Sequence, residues 1–267
     1  MRILITGSEG FIGRYLIKEF EKDFEVIEYP RADDIRNRDR LKEKMRGVEV
    51  VVHAAAYTSE DLPSCMEVNA VGTANVVEAA EECGCQLLVH LSTLRTLYAE
   101  SKYPINEESL EADPRVLKNY ALSKWISDVI VQRFSRHWIV LRIGGVFGLG
   151  RRHRPLIQKM LTDDEVLVTN SNELYDMIFV KDVVNAIRRT VERRNNLGNE
   201  VIIIGSGNKQ TVGEIAALIQ RFHPFKIIDM QQPVHNHVYD ISKARRLLGF
   251  NPTVLFEALK EFQEDMQ

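Results

Sequence analysis

Only three cysteines, Cys65, Cys83 and Cys85, occur in 267 residues, an odd number without metal-ligand spacing. A disulfide scaffold and a cysteine-based zinc site are thereby excluded, and the three are read as reduced packing thiols. No metal is expected, since His235-x-His237 has no Cys, Asp or Glu cluster beside it to complete a ligand set. No apolar run reaches the roughly 18 residues of a membrane span. The first apolar run, at residues 2–5, reads as a strand rather than a leader. No membrane association is therefore expected, and a cytoplasmic location is. An excess of one charge is also missing: 35 basic against 38 acidic residues give a net −3, with no general pull toward nucleic acid. Seven basic residues between Arg31 and Arg46 alternate with Asp33, Asp34, Asp39 and Glu43, which suits a solvated helix face. Internal repeats and low-complexity linkers are absent as well.

What the chain does have is an alternating pattern. Continuous apolar runs predict strands at 2–6, 24–28, 48–54, 86–92 and 137–143, and helical spacing predicts helices at 11–22, 38–46, 64–83 and 115–135. Unbroken apolar strands separated by helices indicate an α/β fold, a parallel sheet covered on both faces. At 144–154 the rhythm breaks, with glycines and charges crowded together. Beyond it the pattern gives a strand at 165–169, a helix at 182–194, a strand at 200–204 and helices at 211–222, 242–248 and 253–265. The expected organisation is a core at 1–144 and a small capping region at 145–267 that returns some segments to the main sheet.

Directly after the first strand stands Thr6-Gly7-Ser8-Glu9-Gly10-Phe11-Ile12-Gly13. A glycine turn between strand and helix aims free backbone N–H groups and the positive helix end at a pyrophosphate. Gly7 serves the tight turn, Gly10 the approach of the diphosphate, and Gly13 the packing of helix on strand. The spacing is G-x-x-G-x-x-G rather than G-x-G-x-x-G. Phe11 and Ile12 open the helix beside the proposed dinucleotide.

Tyr120 and Lys124 stand four apart in a helical pattern and so share a face. A tyrosine, with an ordinary pKa of about 10, is a poor base at neutral pH. A neighbouring ammonium favours the phenolate, and Lys124 can also donate to ribose hydroxyls.

The glycine motif together with Tyr120-x-x-x-Lys124 resembles the extended short-chain dehydrogenase/reductase family of NAD(P)-dependent sugar-nucleotide epimerases, dehydratases and reductases. The resemblance runs along almost the whole chain. Asp34-Ile35 is similar to the family's acidic position at the adenine, and Ala54-Ala55-Ala56 to the segment lying along the cofactor. Asn69 opens the matching long helix, and His90-Leu91-Ser92-Thr93 matches the strand end that supplies a catalytic hydroxyl. Gly205-Ser206-Gly207 and Leu248-Gly249-Phe250-x-Pro252 also fit. The resemblance implies a Rossmann-type doubly wound sheet. It further implies catalytic Tyr120, Lys124 and Thr93, a cofactor contact at Ser92, and a homodimer formed through the helices at 64–83 and 115–135. The segment after Thr93 is one residue longer than usual, so Ser92 and Thr96 stay open as alternatives for the hydroxyl.

Departures from the family pattern narrow the chemistry. Family 4,6-dehydratases follow the catalytic Thr with Asp-Glu; Leu94-Arg95 stands here, without an acid for a leaving hydroxide. Gly145 replaces a frequent Asn that meets the substrate diphosphate, and Tyr175 replaces an Arg that meets the nucleotide. Arg151, Arg152 and Arg154 are candidates for the lost charge, and Arg151 and Tyr175 for substrate contacts. Arg31, just past the second strand, tilts the cofactor reading from NAD(H) toward NADP(H). The expected activity is hydride transfer at carbon 4 of a nucleotide-activated hexose, as a 4-epimerase or a 4-keto reductase. Competing readings are a reductase of a non-nucleotide carbonyl compound and a non-catalytic dinucleotide-binding redox sensor.

Overall fold

The structure, a computed structural model, describes residues 1–97, 104–109, 111–151 and 154–266. In chain order the first half holds β1 (Arg2–Thr6), α1 (Phe11–Phe20), β2 (Glu25–Tyr29), α2 (Arg38–Met45), β3 (Val50–His53), α3 (Leu62–Cys65), α4 (Gly72–Glu82), β4 (Leu87–Thr93), α5 (Asn119–Phe134) and β5 (Trp138–Ile143). The second half holds β6 (Gly145–Phe147), α6 (Leu156–Thr162), β7 (Glu165–Val168), β8 (Met177–Phe179), α7 (Val180–Glu192), β9 (Glu200–Ile204), α8 (Val212–Ile219), β10 (Lys226–Asp229), α9 (Ser242–Leu248) and α10 (Leu255–Met266).

Six strands form one parallel sheet in the order β2-β1-β3-β4-β5-β9. Alternate residues of the central strands β1, β3, β4 and β5 enter different cores. Ile3, Ile5, Val50, Val52, Val89 and Leu141 pack in one cluster, while Leu4, Val51, Leu88 and Val140 pack in the other. That division is why the strands read as continuous apolar runs: neither face meets water. The strand order reverses between β1 and β3, which places the carboxyl ends of these strands, Thr6 and His53, at the point where open α/β sheets bind ligands.

The sequence reading differs from the structure in informative places. The helix placed at 64–83 begins at Leu62 and passes through a π turn, Met66–Val71, before α4. Gly72 follows that turn because a Cβ there would stand 2.6 Å from Ile35 Cγ2. The helix placed at 115–135 starts only at Asn119, after a separate 3-10 turn at Pro114–Val116. The break at 144–154 contains β6, which pairs with β8, and β7 pairs with β10. β6, β8, β10 and the short α6 are too brief to leave a period in the sequence, whereas β7 lies within the strand expected at 165–169. Among the described residues no helix is long and apolar enough to cross a membrane.

Most of the basic stretch after β2 is paired within the fold. Arg36 pairs with Asp34 and Glu67, Arg38 with Glu78, Arg40 with Asp33 and Glu43, and Lys42 with Glu82. Cys65 is buried, and burial pushes the Cys85 thiol up to about 12, so neither is a reactive thiolate.

Candidate active site

The turn after β1 is built around its glycines. Gly7 has φ +68°, its N–H donates to Tyr29 O at 3.1 Å, and a Cβ on it would stand 2.7 Å from Ala55 Cα. Gly13 has no room for a side chain, because a Cβ would run into Gly7 O. Gly10 is exposed, donates to Gly7 O at 2.9 Å and precedes α1 without any side-chain cap. The first-turn N–H groups of α1, including those of Phe11 and Ile12, are therefore open donors at the positive end of a ten-residue helix. This uncapped cradle fits a dinucleotide pyrophosphate.

Around the cradle, the candidate cofactor residues divide into lining and support. Ala54, Ala55 and Ala56 follow β3, with Ala55 packed on Gly7. Ile35 is buried against Gly72, and Asp34, at φ +49°, turns its carboxylate into a fork with Arg36 Nε and Nη2. Asn69 is fully buried, and its amide is spent inside the protein: Oδ1 accepts from Tyr57 N at 2.7 Å, and Nδ2 donates to Tyr57 O and Ser123 Oγ. Its role is to fasten the segment after β3 to α5, one step removed from a ligand. Arg31 donates its backbone N–H to Glu9 Oε2 at 3.0 Å.

Tyr120 occupies the first turn of α5 and Lys124 the next, deeper one. The Lys124 ammonium is buried and lies 3.2 Å from His90 Nε2, with Asp128 beyond it on the same helix. Burial brings Lys124 down to about 8, opposed by the Asp128 charge. Burial and the Lys124 charge bring His90 down to about 4, leaving it neutral at pH 7. Burial opposes ionisation of Asp128, but His90 and the Arg142 guanidinium, 3.2 Å away, hold it below the usual carboxylate range.

The Tyr120 phenol has a different electrostatic partner from the one its spacing suggests. Burial pushes it up to about 12, and the cations that pull it back are Arg95 and Arg151. The expectation that Lys124 draws the phenol down is thus corrected for the free protein. Sharing a helix face brings the two side chains onto one line, but Lys124 sits a turn inward and spends its charge on His90 and Asp128. Tyr175, half-buried after β7, faces the same Arg151 and Arg95 charges.

Thr93 closes β4 and accepts from Arg95 N at 3.3 Å. Thr96 is fully buried and donates to Thr93 O, which removes it from contact with any ligand, and Ser92 lies buried beneath. Of the three hydroxyls, Thr93 is the one at the strand's carboxyl end. Arg151 donates to Val146 O and is half-buried, whereas Arg154 is drawn away by Asp163. Arg152 lies outside the described residues. Gly145, where an Asn is frequent in similar proteins, has the Met177 sulfur in the place of a Cβ. A side chain there would require Met177 to move, and glycine itself offers no side-chain contact to a diphosphate.

Sequence reading overlooked Arg95 as a site cation and missed His90, Asp128 and Glu9. Asp128 was traceable, since it continues the Tyr120–Lys124 face by four residues. The others are joined only by the fold.

A model of the NAD dependent epimerase/dehydratase family matches residues 3–205. A putative UDP-glucose 4-epimerase of Methanocaldococcus jannaschii is 29% identical over 97% of this chain and 96% of its own length. The dTDP-4-dehydro-6-deoxyglucose reductase of Escherichia coli is 24% identical over 96% of this chain and 94% of its own. Among solved structures, MoeE5 in complex with UDP-glucuronic acid and NAD superposes with a TM-score of 0.85 at 22% identity, covering 99% of this chain and 98% of that one. With three quarters of its length matched, the chain belongs to the NAD-dependent epimerase/dehydratase family.

Proposed function

We propose that this protein transfers hydride reversibly at carbon 4 of a nucleotide-activated hexose, using NAD(P), and works as a 4-epimerase. The observation that carries this reading is Tyr120 facing the Arg95 and Arg151 charges, with the Arg95 N–H donating to Thr93 at the carboxyl end of β4, two strands over from the uncapped glycine cradle. The bound nicotinamide would supply the hydride acceptor. Tyr120 takes the proton of the substrate hydroxyl, Thr93 orients the same oxygen, and Lys124 donates to ribose hydroxyls after turning from His90. The cationic surroundings of Tyr120, supplied by Arg95 and Arg151, favour its phenolate during proton transfer.

Residues 1–144 with β9 serve the dinucleotide, and most of 145–267 serves the sugar nucleotide. Arg151 replaces the diphosphate contact that Gly145 cannot make, and Tyr175 lies beside it on the substrate side. Arg95 in place of an acid opposes 4,6-dehydration, because a guanidinium cannot protonate a leaving hydroxide. The names of the M. jannaschii relative and of MoeE5's ligand support a UDP-linked sugar. The E. coli relative supports 4-keto reduction as the second reading. Exposed Val129 and Phe134 on α5 support a homodimer through α4 and α5.

The test is incubation with NAD and a panel of UDP- and dTDP-hexoses, read by proton NMR. A mixture of carbon-4 epimers without net change of NAD supports epimerisation. Consumption of a 4-keto sugar with reduced dinucleotide supports the reductase. No turnover of any nucleotide sugar, with dinucleotide bound, contradicts both.

A further inference from the structure

The strand that ends nearest the glycine turn carries no acid where a dinucleotide's adenosine ribose would be read. β2 ends Glu28-Tyr29, followed by Pro30-Arg31; Glu28 is exposed, and the Tyr29 hydroxyl donates to Asp33 O and Asp34 O. Asp34 is committed to Arg36. A carboxylate reaches this place from the other side. Glu9, between Gly7 and Gly10, accepts the Arg31 N–H on Oε2 at 3.0 Å, and the turn is bound to the same strand end by Gly7 N–H to Tyr29 O at 3.1 Å. Arg14 bonds the Glu9 backbone oxygen and Gly150 O, so it leaves the Glu9 carboxylate uncompensated. Among the described residues neither Glu9 Oε1 nor the Arg31 guanidinium has a hydrogen-bond partner.

From this juxtaposition we infer that Glu9 is the specificity-determining residue of the cofactor site, and that it selects NAD(H) over NADP(H). A fixed carboxylate at the carboxyl end of β2 accepts from a ribose 2′-hydroxyl and repels a 2′-phosphate at the same spot. Two features give Glu9 the advantage over Arg31, the residue that favours the phosphorylated cofactor. One oxygen of Glu9 is anchored by a backbone donor, which fixes the direction of the other. Arg31 has only its flexible stem to place its charge and would have to bring a phosphate past Glu9. Strand β2 has thus given up its usual acid, and the glycine turn supplies one in its stead.

The inference rests on the dinucleotide site of the proposed function and on nothing about the sugar, so it is tested by binding alone. NADH and NADPH are titrated separately into the wild-type protein and Glu9→Gln, followed by nicotinamide fluorescence. Glutamine keeps an acceptor for the Arg31 N–H and removes only the charge. The wild-type protein should bind NADH at least about tenfold more tightly than NADPH, and Glu9→Gln should reduce that ratio several-fold by improving NADPH binding. Arg31→Ala should leave the ratio within about twofold. A wild-type preference for NADPH, equal affinities, or a ratio unmoved by Glu9→Gln would overturn the inference while leaving the hydride-transfer reading intact. Binding of neither dinucleotide would overturn both.

Discussion

Replacing Lys124 by methionine should make the protein more stable at neutral pH while disabling its site. Lys124 is 1% exposed, and the pKa of its ammonium stands at about 8 where an ordinary lysine has 10.5. At about 1.4 kcal/mol for each pH unit of that difference, carrying the charge costs the fold about 3 kcal/mol below pH 8. Methionine fills a similar volume without the charge. Asp128 is not stranded by the change, because Arg142 Nε remains 3.2 Å from it. Lys124→Met should therefore gain about 2–3 kcal/mol at pH 7, measured by urea unfolding.

The sign is fixed by linkage. Between about pH 8 and 10.5 the unfolded chain holds the lysine proton and the native protein does not, so wild-type stability rises with pH in that window relative to the variant. The gain should be largest below pH 8 and fade toward pH 10.5. Tyr29 and Cys85, both pushed up to about 12, also titrate at high pH, but they are present in both proteins and cancel in the difference. An unchanged or lower stability in a folded Lys124→Met variant, or a gain that ignores pH, would refute the reasoning.

Gly13→Ala should lower stability by about 1–3 kcal/mol or more, because its Cβ would press on Gly7 O; a thermal melt reads this directly. Gly145→Asn should likewise lower the melting temperature instead of restoring a substrate contact, and pairing it with Met177→Ala should recover much of the loss. Arg151→Ala should weaken nucleotide-sugar binding by about 1.5–3 kcal/mol in calorimetry and spare the dinucleotide. Phe134→Glu, at an exposed position on α5, should shift the species seen in light scattering from dimer to monomer.

The parallel sheet was legible because its strands are buried on both faces and its helices are long. Ile3-Leu4-Ile5 and Val50-Val51-Val52 cannot be half-exposed strands, and the glycine turn marks where the first helix begins. The π turn at Met66–Val71 was not legible, since its extra residue leaves the helical pattern almost unchanged. Tyr120 and Lys124 were traceable as a pair, but the direction of the Lys124 ammonium depends on His90, which lies 34 residues away in sequence and on the strand below. Asn69 shows the converse: a residue type and position suited to a ligand, whose amide is consumed by Tyr57 and Ser123. Glu9 escaped notice because the acid was sought on β2 and came from the turn beside it.

The central claim is that Tyr120 moves the proton while hydride passes between sugar and nicotinamide. Its most direct test is rapid mixing of the NAD-loaded protein with a nucleotide sugar it turns over, following the near-ultraviolet absorbance of reduced nicotinamide. In Tyr120→Phe the rate of that signal should fall by about 10²–10⁴, the range of a general acid–base group, with dinucleotide affinity nearly unchanged. A Tyr120→Phe variant reducing the nicotinamide at close to the wild-type rate would contradict the account.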